Sequence, residues 1–505
     1  MIVQGKDISQ SVRESADVCV IGSGCGGGAT AKVLSAAGKK VIVVEEGGYF
    51  GPQDFQQSEE WAFTNLYQQR AGLATDDLGV TVLQGRCVGG SSTVNWTTSL
   101  RTPEFVLDFW RTERGLRDLS AKDLEPYFAR VEGYLNIHQE TNDRHNRQNR
   151  IILEGAGKLG YRSASNGRNV DGCLQLGVCG FGCPAGAKKS VDVTYIADAV
   201  AAGATVLSDA RAERIEIHGG LKRVTGNILE RSTRKPKTTF AIEAPTVVVA
   251  GSAVQSPVLL ERSGLGGASG HLGKHLTFHL TSAVIGIYDS PQHSWKGIPQ
   301  SAMCDEFLNA NGDSGGFWIE AVPVGPVLAA LAFPGFGREH RSIMQKLSYT
   351  AASIVLVKEI DSEGSVRSND NGRPELTYER GPRDREYMKQ GLAAAARIHF
   401  AAGARNVMTL HTRPTVFTSP DVIENDLGKA EWDTNDLSLY SAHPLGTCRM
   451  GEDARTSVVS SRGEVHGAPG IFVVDGSVMP SSLGVNPQVT ILAISERNAE
   501  RIAER

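Results

Sequence analysis

The sequence predicts an α/β protein with two domains. One is a Rossmann-like dinucleotide-binding domain built from discontinuous segments, and the other has a mainly antiparallel sheet with covering helices. A strand–turn–helix–strand pattern occupies residues 16–45. Two further short, apolar strands at 246–250 and 471–474 fit the same parallel sheet. Apolar residues alternate at 283–288 and 353–357, which is typical of antiparallel strands.

The composition is that of an ordinary globular protein. The chain has 505 residues, of which 40% are hydrophobic and 21% charged, so disordered, collagen-like and coiled-coil classes are excluded. Lys and Arg number 52 against 56 Asp and Glu, and this net charge of −4 argues against a nucleic-acid partner. Eight cysteines are too few for a disulfide framework. We therefore expect a reducing compartment and a cytoplasmic location.

We expect no signal peptide and no transmembrane segment. The first residues lack a basic segment followed by an apolar run, and no apolar run reaches the ~18 residues that a membrane helix needs. The stretch Val322–Phe336 is apolar but is interrupted by Pro and Gly. Core packing is the favoured interpretation of this stretch, with an apolar entrance or a peripheral membrane contact as the alternative.

The opening βαβ unit carries a phosphate-binding pattern. The segment 22–27, GSGCGG, fits G-x-G-x-x-G between a strand over Ala16–Ile21 and a helix over Ala29–Ala37. Gly22 permits the tight turn, Gly24 lets the backbone approach a pyrophosphate, and Gly27 allows close helix–strand packing. This context predicts a dinucleotide site, although the motif alone does not separate FAD from NAD.

The strand that follows, Lys40–Val44, ends at Glu45. A carboxylate at this position can accept hydrogen bonds from a ribose diol, and it would repel a 2′-phosphate. NADP is therefore disfavoured.

Three longer helical patterns complete the outline. The spacing of apolar residues predicts helix over Glu104–Leu135. Ser256-Pro257 has the form of a helix start, and Asn486-Pro487 predicts that a last helix begins there and runs to Arg505. Asn486 would then cap that helix, a use that competes with any catalytic role of its side chain.

Four stretches of the sequence resemble the glucose–methanol–choline (GMC) oxidoreductases, which are FAD enzymes. They are GRCVGGSSTVN (85–95), SAVQSPVLLERSGLG (252–266), SAHPLGTCRMG (441–451) and the segment 473–502. Within that family the long-chain (fatty) alcohol oxidases and the cholesterol oxidases are the most similar branches. The resemblance implies an FAD-binding domain over 14–100, 186–275 and 437–505, and a substrate-binding domain over 101–185 and 276–436.

The resemblance also implies how FAD is held. The loop from Gly89 to Asn95 is rich in small residues that let the backbone approach a flat ring or a phosphate. It contains no histidine, so we expect non-covalent FAD. The residues assigned to the cofactor are Gly22, Gly24, Gly27, Glu45, Arg86, Gly89, Gly90, Ser91, Asn95, Asp475, Gly476, Asn486 and Pro487.

Oxidation of an alcohol requires a base for the hydroxyl proton and a donor for the developing alkoxide, while a hydride passes to flavin N5. By resemblance, His443 is the base and Asn486 its partner. We expect a hydrophobic primary alcohol as the substrate, and O₂, a quinone or a redox protein as the electron acceptor. A sterol or other secondary-alcohol oxidase, a flavin-containing hydroxynitrile-type lyase and a non-catalytic binding protein stay open as alternatives.

Cysteine and histidine clusters raise the question of a metal. Cys173, Cys179 and Cys183 are spaced closely enough to hold a three-iron [3Fe-4S] cluster, but buried or loop thiols, with one disulfide among them as an option, are the favoured interpretation. His271, His275 and His279 recur every four residues, but no HExxH motif is present and the run leads into a predicted strand. Zinc at these histidines is therefore disfavoured.

Overall fold

A computed structural model describes residues 1–505, and its first domain is built on a six-stranded sheet. All five strand pairings in this sheet are parallel. In spatial order the strands are Ile2–Gln4, Thr205–Ser208, Val41–Val44, Val18–Ile21, Thr246–Val249 and Ile471–Val473. The separated segments that the sequence assigned to one parallel sheet do share it.

The central strands form because their side chains are apolar on both faces. Val18–Ile21 and Val41–Val44 are buried at every position, as expected of a parallel sheet that is covered on both sides. The helices Cys25–Ala36 and Gln488–Ala503 pack against each other in this domain. This packing places the helix that follows the glycine-rich turn directly against the last helix.

The predicted helix over Glu104–Leu135 is two helices, Glu104–Glu113 and Ala121–Tyr134. Gly115 adopts a left-handed φ of 70°, which stops the first helix. The Ser120 side chain then accepts a hydrogen bond from the Asp123 N–H and caps the second helix. The periodicity was continuous across the break because both helices bury the same kind of apolar face.

The helix expected to start at Ser256-Pro257 begins earlier and spans Ser252–Arg262, with Pro257 inside it. Proline has no N–H, so the carbonyl of Ala253 loses its helical donor. The hydroxyl of Thr447 donates to that carbonyl at 2.7 Å instead. A side chain that is distant in sequence therefore makes the internal proline tolerable, which local patterning cannot reveal.

A second sheet flanks the parallel one, and two small sheets lie elsewhere. The flanking sheet has four strands, in the order Ala210–His218, Leu221–Leu229, Pro236–Ala244 and Val12–Ser15. The small sheets comprise Lys274–Leu276 with Glu363–Ser368 and Pro374–Glu379, and Ile137–Gln139 with Gly167–Asn169.

The second domain is built on a nine-stranded sheet. Its main path runs through Val416–Phe417, Asn406–Thr409, Thr281–Ile287, Thr350–Lys358, Gly316–Val322, Ala302–Cys304 and Ser163–Ser165. The strand Leu439–Ser441 pairs with Thr281–Ile287 and with Val80–Val82. The two strands predicted from alternation are antiparallel neighbours, with Val284 opposite Ser353. Val80–Val82 and Leu439–Ser441 join this sheet from chain segments that the sequence assigned to the other domain.

Seven helices complete the set of twelve. They are Glu59–Leu66, Arg147–Leu159, Tyr195–Ala201, Pro326–Ala332, Arg338–Met344, Pro382–Ala401 and Ile423–Lys429. The longest, Pro382–Ala401, packs on the strands of the nine-stranded sheet. None of the helices combines the length and apolarity required to cross a bilayer.

Each large sheet has its own apolar core. Segments of the parallel-sheet domain also reach the other domain: the loop between Ile471–Val473 and the last helix contacts residues at the end of the nine-stranded sheet. The polar side chains described next meet where this loop and that sheet end come together.

Candidate functional site

The glycine-rich turn forms the cradle that the sequence predicts. Gly22 has a φ of 100°, and a Cβ there would lie 2.2 Å from the carbonyl oxygen of Ala250. A Cβ on Gly27 would lie 1.9 Å from the carbonyl oxygen of Gly22. Neither position accepts a side chain, so the strand, the turn and the helix Cys25–Ala36 pack backbone to backbone.

Gly24 differs from these two glycines. It precedes the first residue of the helix Cys25–Ala36, and a Cβ added there would have the Cα of Gly90, at 3.9 Å, as its nearest neighbour. Gly89 and Gly90 both have positive φ, 91° and 56°, so their loop folds close to Gly24. The space at Gly24 thus lies beside free helical N–H groups, and both suit a pyrophosphate.

Glu45 is buried and, through Ser23, connects the glycine-rich turn to the loop that begins at Gly89. Its Oε2 accepts from the N–H of Ser23 at 3.0 Å and from the Ser23 hydroxyl at 2.7 Å, and its Oε1 accepts from the N–H of Gly47 at 2.7 Å. The Ser23 hydroxyl in turn accepts from the N–H of Gly89 at 3.1 Å. Burial raises the pKa of the Glu45 carboxyl, and these donors oppose that rise.

Three other residues expected at the cofactor have partners within the chain. Arg86 pairs with Glu46, Nε to Oε1 at 3.1 Å, and the Ser91 hydroxyl accepts from the N–H of Gly85 at 3.0 Å. The Asn95 amide donates to the side chain of Gln488 in the first turn of the last helix. These contacts shape the loop Gly89–Asn95, called here the flavin-side loop, and tie it to that helix.

Asp475 fixes the turn after the strand Ile471–Val473. Its Oδ2 accepts from the N–H of Ser252 at 2.8 Å, and its Oδ1 accepts from the N–H of Ser477 at 2.8 Å. Burial raises its pKa, while the hydrogen bonds from its neighbours lower it. A Cβ on Gly476 would meet the carbonyl oxygen of Pro444 at 3.1 Å, so this turn packs directly on the segment that carries His443.

The Asn486 side chain does not cap the last helix, and its carbonyl oxygen has no partner. The helix spans Gln488–Ala503, Pro487 occupies the N-cap position, and no side chain caps it. The Oδ1 of Asn486 and the Nε2 of Gln488 are buried without a hydrogen-bond partner. The competition between capping and catalysis expected for Asn486 is therefore resolved against capping.

His443 forms a side-chain pair with His279. Their Nδ1 atoms lie 3.1 Å apart. The Nε2 of His279 accepts two backbone N–H groups, from Leu483 at 2.9 Å and from Gly484 at 3.1 Å. Because Nε2 of His279 is an acceptor, the proton of this neutral ring lies on Nδ1 and is donated to His443.

Burial keeps both rings neutral near pH 7. It lowers the pKa of His443 to about 4. It lowers the pKa of His279 well below the ordinary value, and the neighbouring His443 and Lys358 lower it further. Since His443 receives a hydrogen bond at Nδ1, its own proton lies on Nε2, which has no partner within the chain.

Glu359 holds His279 in an uncommon backbone conformation. His279 has a φ of 50°, in the left-handed region that favours glycine. The Oε1 of Glu359 accepts the N–H groups on both sides of it, from Phe278 at 2.8 Å and from Leu280 at 2.9 Å. The Oε2 accepts from the Ser482 hydroxyl at 2.6 Å, so one carboxylate fixes both segments that position the ring.

Glu320 is the unexpected member of the cluster. It lies in the strand Gly316–Val322, it is fully buried, and neither carboxyl oxygen makes a hydrogen bond. Burial raises its pKa to about 7, and the neighbouring side chains of Trp318 and Asn486, which can donate to the carboxylate, oppose the rise. The Trp318 ring contacts His279, with centroids 5.1 Å apart, so Glu320 belongs to the same pocket.

The pocket collects buried polar atoms that have no partner in the chain. They are Oδ1 of Asn486, both carboxyl oxygens of Glu320, Nε1 of Trp318 and Nε2 of Gln488. Unpaired buried polar atoms are costly in a finished core and are expected where a ligand completes the bonding. The open space at Gly24 and these unpaired groups fit the FAD that the sequence resemblance implies.

The three cysteines do not form a metal site. Cys173, Cys179 and Cys183 are free thiols that line one small cavity, yet the structure contains no group of three His, Cys, Asp or Glu side chains placed to hold a metal ion. The buried ammonium of Lys188 lies in this loop and donates to the carbonyls of Cys179 and Thr93. Lys188 thus ties this loop to the neighbouring segment at Thr93, and the possible iron–sulfur cluster is not supported.

His271, His275 and His279 are also not a metal site. Nδ1 of His271 lies 2.8 Å from Nε2 of His275, and Nδ1 of His275 pairs with Glu363 at 2.6 Å, whereas His279 turns to His443. Sequence reasoning treated His279 only as a disfavoured zinc ligand and missed Glu320 altogether. The available signal for Glu320 was a single carboxylate inside the apolar strand GFWIEAV.

Comparison with known proteins gives two family matches. Models of the GMC oxidoreductase family match residues 14–281, with the N-terminal model, and residues 361–495, with the C-terminal model. His279, His443 and Asn486 lie within the matched ranges, and Glu320 lies between them.

The relatives include long-chain-alcohol oxidases. The chain is 34% identical over 485 residues to an uncharacterized GMC-type oxidoreductase of Mycobacterium tuberculosis, covering 95% of this chain and 74% of that protein. It is 30% identical over 520 residues to a long-chain-alcohol oxidase of Arabidopsis thaliana, covering 98% and 68%. A second Arabidopsis long-chain-alcohol oxidase is also 30% identical, covering 94% of this chain and 65% of its own length.

Solved structures share the fold at lower identity. The pyridoxine 4-oxidase from Mesorbium loti superimposes with a TM-score of 0.73 at 20% identity, covering 97% of this chain and 99% of that one. A formate oxidase of Aspergillus oryzae, from a study of FAD modification, gives a TM-score of 0.71 at 16% identity and covers 97% and 98%.

Proposed function

Because the chain belongs to the GMC oxidoreductase family, we propose that it oxidises a hydrophobic primary alcohol to the aldehyde, with FAD held non-covalently. Alcohol oxidation with FAD is the chemistry of the family. The single observation that carries the assignment to this pocket is the group of unpaired buried atoms around His443 and Asn486. An alcohol oxygen placed there would find both hydrogen-bond donors and an acceptor.

The chain's own residues bind and orient the substrate. Nε2–H of His443 and the side-chain amide of Asn486 are the donors that can reach the hydroxyl oxygen. Glu359 and the backbone of Leu483 and Gly484 fix the His279 ring that orients His443. The bound flavin supplies the acceptor for the hydride that leaves the carbinol carbon.

A partly exposed apolar stretch that follows the Glu320 strand supports a hydrophobic substrate. The strand that carries Glu320 runs directly into the stretch Val322–Phe336, whose helix start is held by Glu59 through the N–H of Val327 at 2.8 Å. Part of this stretch packs in the core, but Leu331 is 72% exposed and Phe336 is 92% exposed. We propose that this exposed apolar patch binds the alkyl chain of the substrate, or contacts a lipid surface that delivers the substrate.

The test is anaerobic mixing of the oxidised holoprotein with a panel of alcohols while flavin absorbance is followed. Long-chain primary alcohols should bleach the flavin faster than sterols, aryl alcohols or sugars. Bleaching by sterols alone would replace the proposed substrate class. No bleaching by any alcohol, with release of aldehyde from a cyanohydrin, would assign a lyase instead.

A further inference from the structure

We propose that Asn166 binds a second hydroxyl group of the substrate, so that the alcohol oxidised by this protein carries at least two hydroxyls. One would react at His443 and the other would be held at Asn166. This inference rests on the proposed alcohol oxidation and deepens it by narrowing the substrate class. The Asn166 side chain is fully buried, yet neither its Oδ1 nor its Nδ2 has a hydrogen-bond partner within the chain.

A buried carboxamide without partners is costly in a finished core, because an apolar side chain of the same size would avoid the loss of hydration. Asn149, which is also fully buried, shows the ordinary arrangement. Its Nδ2 donates to the carbonyl of Ile298 at 2.9 Å, and its Oδ1 accepts from the N–H of Ser301 at 2.8 Å. Asn166 instead has the property expected of a side chain that a ligand completes.

The register of the nine-stranded sheet places Asn166 on the same face as Glu320. Ala164 lies opposite Met303, and Met303 lies opposite Glu320 in the next strand. Residues that lie directly opposite each other share a face of a sheet, and so do residues two apart along a strand. Asn166 continues the ladder, since its N–H donates to the carbonyl of Ser301 at 2.8 Å. Its Cα is therefore roughly 12 Å from that of Glu320, two strands across and two residues along.

This face of the sheet is the one directed toward the pocket. The other face packs on the helix Pro382–Ala401, where a Cβ on Gly391 would lie 2.2 Å from Cγ1 of Val355 and 3.2 Å from the ring of Phe317. Side chains alternate along a strand, so Glu320 points away from that helix. Asn166 shares this direction and lies on the pocket side of the sheet.

The segment that follows the flavin-side loop covers Asn166 from the opposite side. Thr98 pairs with Arg168 in an isolated β-bridge, and Nε of Arg168 donates to the hydroxyl of Thr97 at 2.8 Å. Arg168 is two residues from Asn166 and therefore projects to the same side of the chain. Its Nη2 is likewise buried without a partner. Two neighbouring side chains thus leave polar atoms unpaired between the sheet and this segment.

The unpaired donors and acceptor indicate the kind of group that binds there. Nδ2 of Asn166 and Nη2 of Arg168 offer N–H donors, whereas Oδ1 of Asn166 requires a donor. A carbonyl or ether oxygen would leave Oδ1 unpaired, and an ammonium group would leave both nitrogens unpaired. A hydroxyl both accepts and donates. Because Arg168 is already ion-paired with Glu140, a neutral hydroxyl is favoured over a carboxylate.

The first experiment compares dodecan-1-ol with dodecanediols that carry the second hydroxyl at successive carbons, using the purified full-length holoprotein. For at least one position, kcat/KM of the wild type should exceed that for dodecan-1-ol by about tenfold or more. Leucine has the size of asparagine but makes no hydrogen bond. Asn166→Leu should therefore lower kcat/KM for the preferred diol about tenfold more than for dodecan-1-ol. The control Asn425→Leu, at an exposed asparagine of the helix Ile423–Lys429, should keep the wild-type preference.

A second readout does not depend on activity. Asn166→Leu removes two buried polar atoms that have no partner, so the urea midpoint of the substrate-free holoprotein should stay unchanged or rise. The matched buried control is Asn149→Leu, which removes the partner of the Ser301 N–H and of the Ile298 carbonyl. Its urea midpoint should fall, because those two backbone groups are left unpaired.

The outcomes are distinct. Equal kcat/KM for dodecan-1-ol and every diol, or a diol preference that Asn166→Leu retains, would overturn the inference while alcohol oxidation stands. A fall in urea midpoint as large in Asn166→Leu as in Asn149→Leu would also overturn it, because ordered water would then already satisfy the amide. If neither dodecan-1-ol nor any diol bleaches the wild-type flavin, the proposed function fails. The urea comparison then still decides whether the Asn166 amide lacks partners in the free protein.

Discussion

Nδ1 of His279 lies 3.1 Å from Nδ1 of His443, so one proton bridges the two imidazoles. The bridge is set by elements far apart in the chain. His279 precedes the strand Thr281–Ile287, whereas His443 follows Leu439–Ser441. The loop at 483–484, from the parallel-sheet domain, fixes the direction of the bridge. The tautomer of the proposed catalytic histidine is thus a product of domain docking.

Removing His279 should damage function more than its burial alone would suggest. His279→Ala leaves the N–H groups of Leu483 and Gly484 without an acceptor, at a cost of about 1–3 kcal/mol each, and frees the His443 ring to rotate. We expect kcat to fall by on the order of 10²-fold, with flavin still bound. Steady-state kinetics and urea unfolding of the same preparation measure both effects.

The control for that variant is His399→Ala. His399 is another buried neutral histidine. It lies on the helix Pro382–Ala401 and bonds to Tyr288 and Ser353, not to the pocket residues. It should lose comparable stability and keep kcat. Equal losses of kcat in the two variants would mean that general destabilisation, and not the bridge, explains the result.

The stability of the protein without flavin should depend on pH through Glu320. Its pKa rises from the ordinary 4.5 to about 7 on folding, so the folded state binds the proton more tightly than the unfolded state. This contribution is fully present below pH 4.5 and is lost as pH rises through about 7. It amounts to about 3–4 kcal/mol, since one pKa unit corresponds to about 1.4 kcal/mol.

In Glu320→Gln this change of the unfolding free energy with pH should be absent. Urea unfolding at pH 4.5 and at pH 8 should therefore show the variant gaining about 3–4 kcal/mol relative to the wild type at the higher pH. Glu375→Gln, at an exposed glutamate on the strand Pro374–Glu379, provides the charge-matched comparison. A stability difference between Glu320→Gln and the wild type that stays constant with pH would contradict the raised pKa.

Gly24→Ala should separate cofactor binding from folding. A Cβ at Gly24 meets no chain atom closer than 3.9 Å, so the stability loss should be about 1 kcal/mol or less. The added methyl group occupies the space proposed for the pyrophosphate. Flavin affinity should fall on the order of tenfold or more, or about 1.4 kcal/mol of binding free energy.

The comparison for Gly24→Ala is Gly157→Ala, in the exposed part of the helix Arg147–Leu159, where a Cβ also meets no atom. It should bind flavin normally and gain up to about 1 kcal/mol of stability. Full flavin affinity in Gly24→Ala would place the phosphates elsewhere.

Thr447 and Pro257 should be coupled. Thr447→Val removes the hydroxyl that donates to the Ala253 carbonyl, and the buried acceptor left behind should cost about 1–3 kcal/mol. In the Pro257→Ala background the new alanine N–H can donate to the same carbonyl, so the cost of Thr447→Val should fall by more than half. Urea unfolding of the two single variants and the double variant measures the coupling energy. Additive effects would show that the hydroxyl does not replace the missing helical donor.

The loop that carries Cys173, Cys179 and Cys183 should not bind iron. Protein purified after growth with added iron should show flavin bands without the broad absorption of a cluster. It should also contain far less than one iron per chain by elemental analysis. Cys183→Ser should leave that spectrum unchanged, because the thiols line a cavity without forming a ligand group. Stoichiometric iron that is lost in Cys183→Ser would instead establish a cluster in this loop.

The parallel sheet could be predicted because its signals are local. Val18–Ile21 and Val41–Val44 are short, continuous apolar runs on either side of a glycine pattern, and this combination indicates buried parallel strands. The split in Glu104–Leu135 was also marked locally, by Gly115. The early start of the helix Ser252–Arg262 was not, because its internal proline depends on a hydroxyl nearly two hundred residues away.

The pocket was only half predictable for a related reason. His443 and Asn486 lie in motifs that resemble a known family, whereas His279 and Glu320 acquire meaning through tertiary contacts. His279 is defined by the two N–H groups that it accepts, and Glu320 by the absence of any partner for its oxygens. Neither property is encoded in the neighbouring residues. The single carboxylate within an apolar strand was the only local signal in the sequence that pointed to Glu320.

The strand order of the parallel sheet has a consequence for biosynthesis. The strand Thr246–Val249 lies between Val18–Ile21 and Ile471–Val473, so its second neighbour emerges from the ribosome more than two hundred residues after it. During translation one edge of Thr246–Val249 therefore stays unpaired, or is covered by a chaperone, until Ile471–Val473 has been synthesised. The flavin cradle also needs the start of the last helix. It can therefore form only after nearly the whole chain has been synthesised, and the cofactor should bind late.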